Sequence, residues 1–102
     1  MTKTIGWLSI LLALGYSQLS MAGDVAAGQA RAALCAACHG ANGISANDLW
    51  PNLAGQKEAY LIKQIKAFRD GGRSDPMMSP MAQPLTDTDI ENLAAYFSSL
   101  SK

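Results

Sequence analysis

Apolar and polar positions alternate along the chain in blocks with helical spacing. From Val25, small and apolar residues return at Val25, Gly28, Ala32 and Cys35, one face of a helix. The stretch is alanine-rich and free of proline, and Asp24 before it can cap the first turn and place negative charge at the positive end of the helix dipole. A first helix is predicted from Val25 to about Ala37. Gly40, Gly43, Ser45 and Asn47 then mark a loop, and residues 51–56, PNLAGQ, read as turn-like and extended. Lys57 to Asp70 predicts a second helix with Leu61, Ile65 and Phe68 on its apolar face, ended by Gly71-Gly72. Residues 73–85, RSDPMMSPMAQPL, hold Pro76, Pro80 and Pro84 beside Met77, Met78 and Met81, and predict an irregular segment. Thr86 to Leu100 predicts a third helix. Thr86 and Asp89 can form a capping box there, and Ile90, Leu93, Ala94, Phe97 and Leu100 form the buried stripe. No strand pattern, repeat or low-complexity stretch stands out. The pattern is that of an all-α domain with long loops, and long loops in a small domain need something to pack on.

The first residues follow a different rule. Lys3 gives a positive start, Ile5 to Leu14 is mostly apolar, and Ser20-Met21-Ala22 puts small residues at the −3 and −1 positions of a cleavage site. This is the pattern of a secretory signal peptide spanning residues 1–22, cleaved after Ala22, which leaves residues 23–102 as the folded domain. The alternative is a retained membrane anchor. Gly6, Ser9, Gly15, Ser17 and Gln18 interrupt the apolar run, whereas a spanning helix needs about 20 predominantly apolar residues.

Charge narrows the field of partners. Eight lysines and arginines balance eight aspartates and glutamates, and cleavage would remove only Lys3. No basic excess points to nucleic acid, and no block of like charge points to a tail. A domain this small buries a modest core and often relies on a disulfide, metal or cofactor.

The chemistry gathers in residues 35–39, CAACH, which hold both cysteines and the single histidine. A disulfide between Cys35 and Cys38 would close a loop too short to constrain the unfolded chain appreciably. Zinc would need a further ligand, and no other Cys or His exists. A thioredoxin-like CxxC opens a helix after a strand, whereas this pair comes at a helix end. Covalent haem attachment uses every residue of the cluster. Two cysteines three apart lie on one helical face, where both sulfurs can reach the vinyl groups of one porphyrin, and His39 can ligate the iron. A bound haem would also give the loops their missing partner. Pro51 opens the extended segment after the loop and can offer its carbonyl to the proximal imidazole; it can equally act as a loop stiffener. With no second histidine, the other axial position falls to Met, Lys, a weak ligand, water or nothing. Met77, Met78 and Met81 are the candidates, set against the ordinary use of methionine as adaptable packing.

The segments GQARAALCAACHGANG, PNLAGQKEAYLIKQIKAFRDGGR and MMSPMAQPLTDTDIENLAAYF follow one another over nearly the whole of residues 23–102. In that order they resemble the small bacterial class I c-type cytochromes, especially the cytochrome c553 and cytochrome c4-like group. The resemblance implies a class I cytochrome c fold, with three main helices and loops wrapped around one covalently bound haem c and its iron. It implies Cys35 and Cys38 as the attachment points, His39 as one axial iron ligand and Pro51 as the carbonyl beside it. It implies Met78, the first methionine of M-x-x-MA, as the other axial ligand, with Met77 and Met81 as alternatives. It also implies a crossing of the first and last helices at Gly28 against Tyr96 or Phe97. Cytochrome c4 carries two such domains, and one is present here.

The resulting expectation is a periplasmic monohaem carrier of single electrons between redox partner proteins, not an enzyme. Its donor would be a dehydrogenase or membrane complex, its acceptor an oxidase or reductase, with no nucleic acid and no stable membrane insertion after cleavage. The second reading is an electron-transfer subunit of a periplasmic dehydrogenase, or the donor to an oxidase or peroxidase. The third is a gas-binding haem sensor, which requires that no methionine bind the iron.

Overall fold

The structure is a computed structural model and describes residues 23–102; residues 1–22, where a signal peptide is expected, lie outside the described residues. Five helices follow in chain order: α1 (Val25–Arg31), α2 (Ala33–His39), α3 (Glu58–Asp70), α4 (Met78–Ala82) and α5 (Asp87–Ser99). No strand occurs among the described residues. The all-α expectation agrees with this, and the differences lie in where helices break and begin.

The predicted first helix is two. Asp24 caps α1 through its side chain, which accepts from the N–H groups of Ala26 and Ala27 at 2.9 and 3.2 Å. At Ala32 the hydrogen bonding tightens. Its N–H is shared between the carbonyls of Gly28 and Gln29, and Cys35 N donates to Ala32 O at 2.8 Å. This is one step of 3₁₀ winding, which changes backbone pairing without disturbing the spacing of side chains. The helix then runs on to His39, past the predicted end near Ala37. Val25, placed on the buried stripe by its spacing, is 45% exposed, because the inward contact of α1 is made by Gly28.

Gly28 explains how α1 meets α5. A Cβ added there would lie 1.9 Å from the Asn92 carbonyl oxygen and 2.8 Å from Tyr96 Cβ. The two helices therefore approach at backbone distance, which only glycine permits. Of the two aromatic partners expected, Tyr96 is the one in contact. At the near end of α1, Asp24 N donates to Asn92 Oδ1 at 2.8 Å. Arg31 at the far end pairs with Asp89 across 2.8 Å.

Helix α5 carries the core. Ile90, Leu93, Ala94, Ala95, Tyr96 and Phe97 are buried, and Leu100 packs against them partly exposed. Thr86 and Asp89 form the reciprocal capping box. Helix α3 buries Leu61 and Phe68 toward α5 and ends at Gly71, whose φ of 93° is the left-handed turn that favours glycine. Arg69 ties the end of α3 to the start of α5, with Nη1 2.8 Å from Asp87 Oδ1 and 3.2 Å from the Leu85 carbonyl.

The irregular segment contains α4, which the prolines seemed to forbid. Asp75 nucleates it. Its Oδ2 accepts from Met77 N and Met78 N at 2.9 and 2.8 Å, its carbonyl accepts from Ser79 N, and its own N–H donates to Ser79 Oγ. Pro80 sits in the first turn, where a backbone N–H has no intrahelical partner to lose. Ser79 is helical although a proline follows it, a context that disfavours the α region.

Candidate metal centre

Helix α2 presents the CAACH residues to a cavity of about 910 Å³, a volume at the upper end of cofactor pockets. The opposite walls come from α3, α4 and α5. No Cα of α2 lies within 8 Å of any of those three helices, and only the Cys35 side chain packs at the edge of the core they build. The cavity thus separates the helix with the thiols and imidazole from the helix with the methionines.

His39 is 7% exposed. Its Nδ1 lies 2.8 Å from the Pro51 carbonyl oxygen. A carbonyl only accepts, so Nδ1 carries the proton and Nε2 keeps its lone pair, the form an imidazole needs to bind a metal. The loop is folded to make this contact. Leu53 N and Ala54 N both donate to the Gly43 carbonyl, at 2.8 and 3.0 Å, and Asn52 Oδ1 accepts from Ser45 N at 2.7 Å. These bonds turn residues 51–54 back along residues 40–45 and bring Pro51 beside the ring.

Both cysteines are free thiols lining the cavity. Burial pushes the Cys35 thiol up from its ordinary range, and the neighbouring Cys38 adds to the shift. A thiol so shifted is the opposite of an activated thiolate nucleophile. Among the described residues no group of three or more His, Cys, Asp or Glu side chains could hold a metal ion, so a zinc site of protein ligands alone is not formed.

Met77, Met78 and Met81 all line the cavity. Met77 is 52% and Met81 43% exposed, and Met78 is the more buried of the three. Asp75, by accepting from both their N–H groups, fixes where Met77 and Met78 enter the turn. Those two bonds, Met78 first, hold the Asp75 carboxyl below the usual carboxylate range. Asp75 and its bond to the Met78 backbone escaped sequence reading. An Asp three residues before a predicted ligand was the available signal.

The cavity suits a large flat apolar group attached through sulfur. Among the described residues six large apolar side chains are exposed, and Leu34, Leu49, Tyr60, Met77 and Met81 among them line it. Of the same residues only Ile90 and Leu93 are large and fully buried. The protein therefore turns much of its apolar surface toward the cavity, where the two thiols and the metal-competent imidazole also face.

Residues 25–101 match the family described as Cytochrome c. Over 93 residues the chain is 50% identical to cytochrome c4 of Pseudomonas aeruginosa, covering 90% of this chain and 46% of that protein. It is 49% identical over 81 residues to cytochrome c-554(548) of Halomonas halodenitrificans, covering 76% of this chain and 98% of that protein. A protein of Thiomonas intermedia named thiosulfate dehydrogenase electron acceptor is 45% identical over 76 residues, covering 74% of this chain and 35% of its own length. The crystal structure of reduced cytochrome c4 from Pseudomonas stutzeri superposes with a TM-score of 0.76 at 45% identity, over 78% of this chain and 47% of that one. The chain spans about half the length of the cytochrome c4 relatives it matches. The fold, the CAACH helix and these similarities agree, and the chain belongs to the cytochrome c family, with haem c as its cofactor.

Proposed function

We propose that this chain is a one-electron carrier of the periplasm, exported by residues 1–22 and working as residues 23–102. In this reading Cys35 and Cys38 would hold the haem through thioethers, and His39 Nε2 and Met78 would ligate its iron, with Met77 and Met81 as the alternatives to Met78. The haem supplies a single chemistry, the exchange of one electron between ferric and ferrous iron. The chain's residues do the rest. Pro51 holds the His39 ring in one orientation and one tautomer. Asp75 pins the backbone of Met78. Ile65, Phe68, Leu93 and Phe97 keep water from the cavity wall. Two protein ligands would close the iron to substrates, which is why a carrier is favoured over an enzyme.

The observation that carries the reading is the buried His39 with its Nδ1 bonded to the Pro51 carbonyl, in one cavity with both cysteines and the three methionines. Among the described residues no helix is long and apolar enough to cross a membrane. The similarity to a thiosulfate dehydrogenase electron acceptor favours a second reading, service as the acceptor for a periplasmic dehydrogenase. Potentiometric titration tests the proposal. A carrier gives a reversible one-electron transition, and its denatured polypeptide keeps haem through acid extraction into organic solvent. Haem that extracts freely would refute the attachment by Cys35 and Cys38.

A further inference from the structure

Helix α4 and its flanks, residues 74–85, carry the three methionines of the cavity. The segment is well bonded within itself. Asp75 pairs with Met77, Met78 and Ser79, Gln83 N donates to the Ser79 carbonyl, and Leu85 N donates to the Ala82 carbonyl. Outward, among the described residues, it makes two hydrogen bonds, and both are with Arg69 of α3. Arg69 Nη1 donates to the Leu85 carbonyl at 3.2 Å, and the Arg69 carbonyl accepts from Gln83 Nε2 at 2.8 Å. Just beyond the segment, Asp87 Oδ1 lies 2.8 Å from the same Nη1. Arg69 stands in the last turn of α3, and its side chain is 19% exposed. Asp70 accepts from its Nε and Nη2 at 2.8 and 3.1 Å, a two-pronged contact that fixes the guanidinium plane and leaves Nη1 aimed at Leu85 and Asp87. The two ion pairs reach exposed carboxylates and stabilise little by themselves. The bond to the Leu85 carbonyl is part-buried and joins the end of α3 to a point 16 residues on, where the loop returns to α5. It closes the base of the loop, and a loop with an open base samples many more positions. A thioether is neutral and a weak partner, so its place at a metal depends on where the backbone holds it.

We propose that Arg69 is a positioning residue for the iron site: it clasps the two ends of the methionine-bearing loop and so sets how often the ligating methionine withdraws from the cavity. The inference rests on the methionine ligation put forward above. Arg69 does not line the cavity, and it acts through the backbone of Gln83 and Leu85 at the far end of α4. Asp75 fixes the start of the same segment, so the methionines are held from both sides.

The test is the rate at which cyanide enters the ferric holoprotein at neutral pH, with the near-infrared sulfur-to-iron absorption recorded on the same sample. Cyanide can take the second axial position only while the methionine is away from it, so the rate reads how often the loop opens. Arg69→Leu keeps much of the apolar stem and loses the bonds to Leu85 and Asp87. Cyanide entry should quicken about tenfold, which equals about 1.4 kcal/mol of easier opening. Asp24→Ala is the reference. It removes the cap of α1, lowers the melting temperature and leaves the clasp untouched, so cyanide entry should stay within about twofold of the wild type. An Arg69→Leu rate equal to that of the wild type overturns the proposal. An Asp24→Ala rate raised as far as that of Arg69→Leu also overturns it, because cyanide would then enter through general unfolding. Should Arg69→Leu yield no holoprotein, Gln83→Leu carries the decision, since it removes the other bond of the clasp at an exposed side chain: faster entry supports the clasp and unchanged entry overturns it. A wild type that lacks the absorption and takes cyanide at once overturns the clasp together with the methionine ligation. A wild type with the absorption and slow entry, matched by both variants, overturns the clasp alone.

Discussion

Replacing Gly28 with alanine probes the junction that the cavity is built on. The new Cβ would sit 1.9 Å from the Asn92 carbonyl oxygen, 2.6 Å from its carbon and 2.8 Å from Tyr96 Cβ. These are backbone atoms or the root of a side chain, so no rotamer change relieves them, and α1 must move away from α5. Overpacking costs roughly 1–3 kcal/mol, and a clash with backbone belongs at the upper end. Alanine recovers about 1 kcal/mol of helix propensity over glycine. The net loss is then about 2 kcal/mol, which in a domain of this size lowers the melting temperature by roughly 8–16 °C. Two glycines serve as references. At Gly72 the nearest atom to an added Cβ is 3.8 Å away, so Gly72→Ala should be neutral or slightly stabilising. At Gly71 nothing lies within 4 Å but φ is 93°, so Gly71→Ala should cost about 1–2 kcal/mol from conformation alone. The assay is thermal unfolding of the three holoproteins by circular dichroism, with the visible spectrum recorded alongside. A Gly28→Ala protein as stable as the wild type would refute the close crossing of α1 and α5.

Met78→Ala should abolish the near-infrared sulfur-to-iron absorption of the oxidised protein and lower its potential, while Met77→Ala and Met81→Ala keep both; the reverse pattern would move the ligand to the residue that matters. The Asp75 carboxyl is held below its ordinary range, so its support of the Met78 turn is full above the unfolded pKa of about 3.8 and is lost as pH falls through the lower folded value. The same absorption should accordingly persist in the wild type down to about pH 4 and weaken in Asp75→Ala even at neutral pH, as an acid titration would show. Thr86→Ala removes the cap of α5 and should cost about 0.5–2 kcal/mol in guanidinium unfolding with no change in the haem spectrum.

The legible part of this molecule was its side-chain periodicity. The stripes of α3 and α5 and the capping box at Thr86 follow from spacing and residue type, the close crossing at Gly28 came with the family resemblance, and the structure carries all of them. Backbone events were hidden. The tightening at Ala32 leaves the side-chain period intact, so two helices read as one. Helix α4 depends on the reciprocal bonds of Asp75 and Ser79, which outweigh the bias that Pro80 places on Ser79. At the site, CAACH declared its chemistry by using every cysteine and histidine of the chain. Pro51 stood between two roles in the sequence, and its carbonyl is found 2.8 Å from the ring.

In the proposed carrier the iron is closed on both faces, by His39 and a methionine. The visible spectrum of the purified, reduced protein before and after addition of carbon monoxide tests it most directly. The spectrum should stay unchanged, because no axial position is free. A prompt shift to a carbon monoxide complex in the native wild type would contradict it, and would favour an open haem that binds gas over an electron carrier.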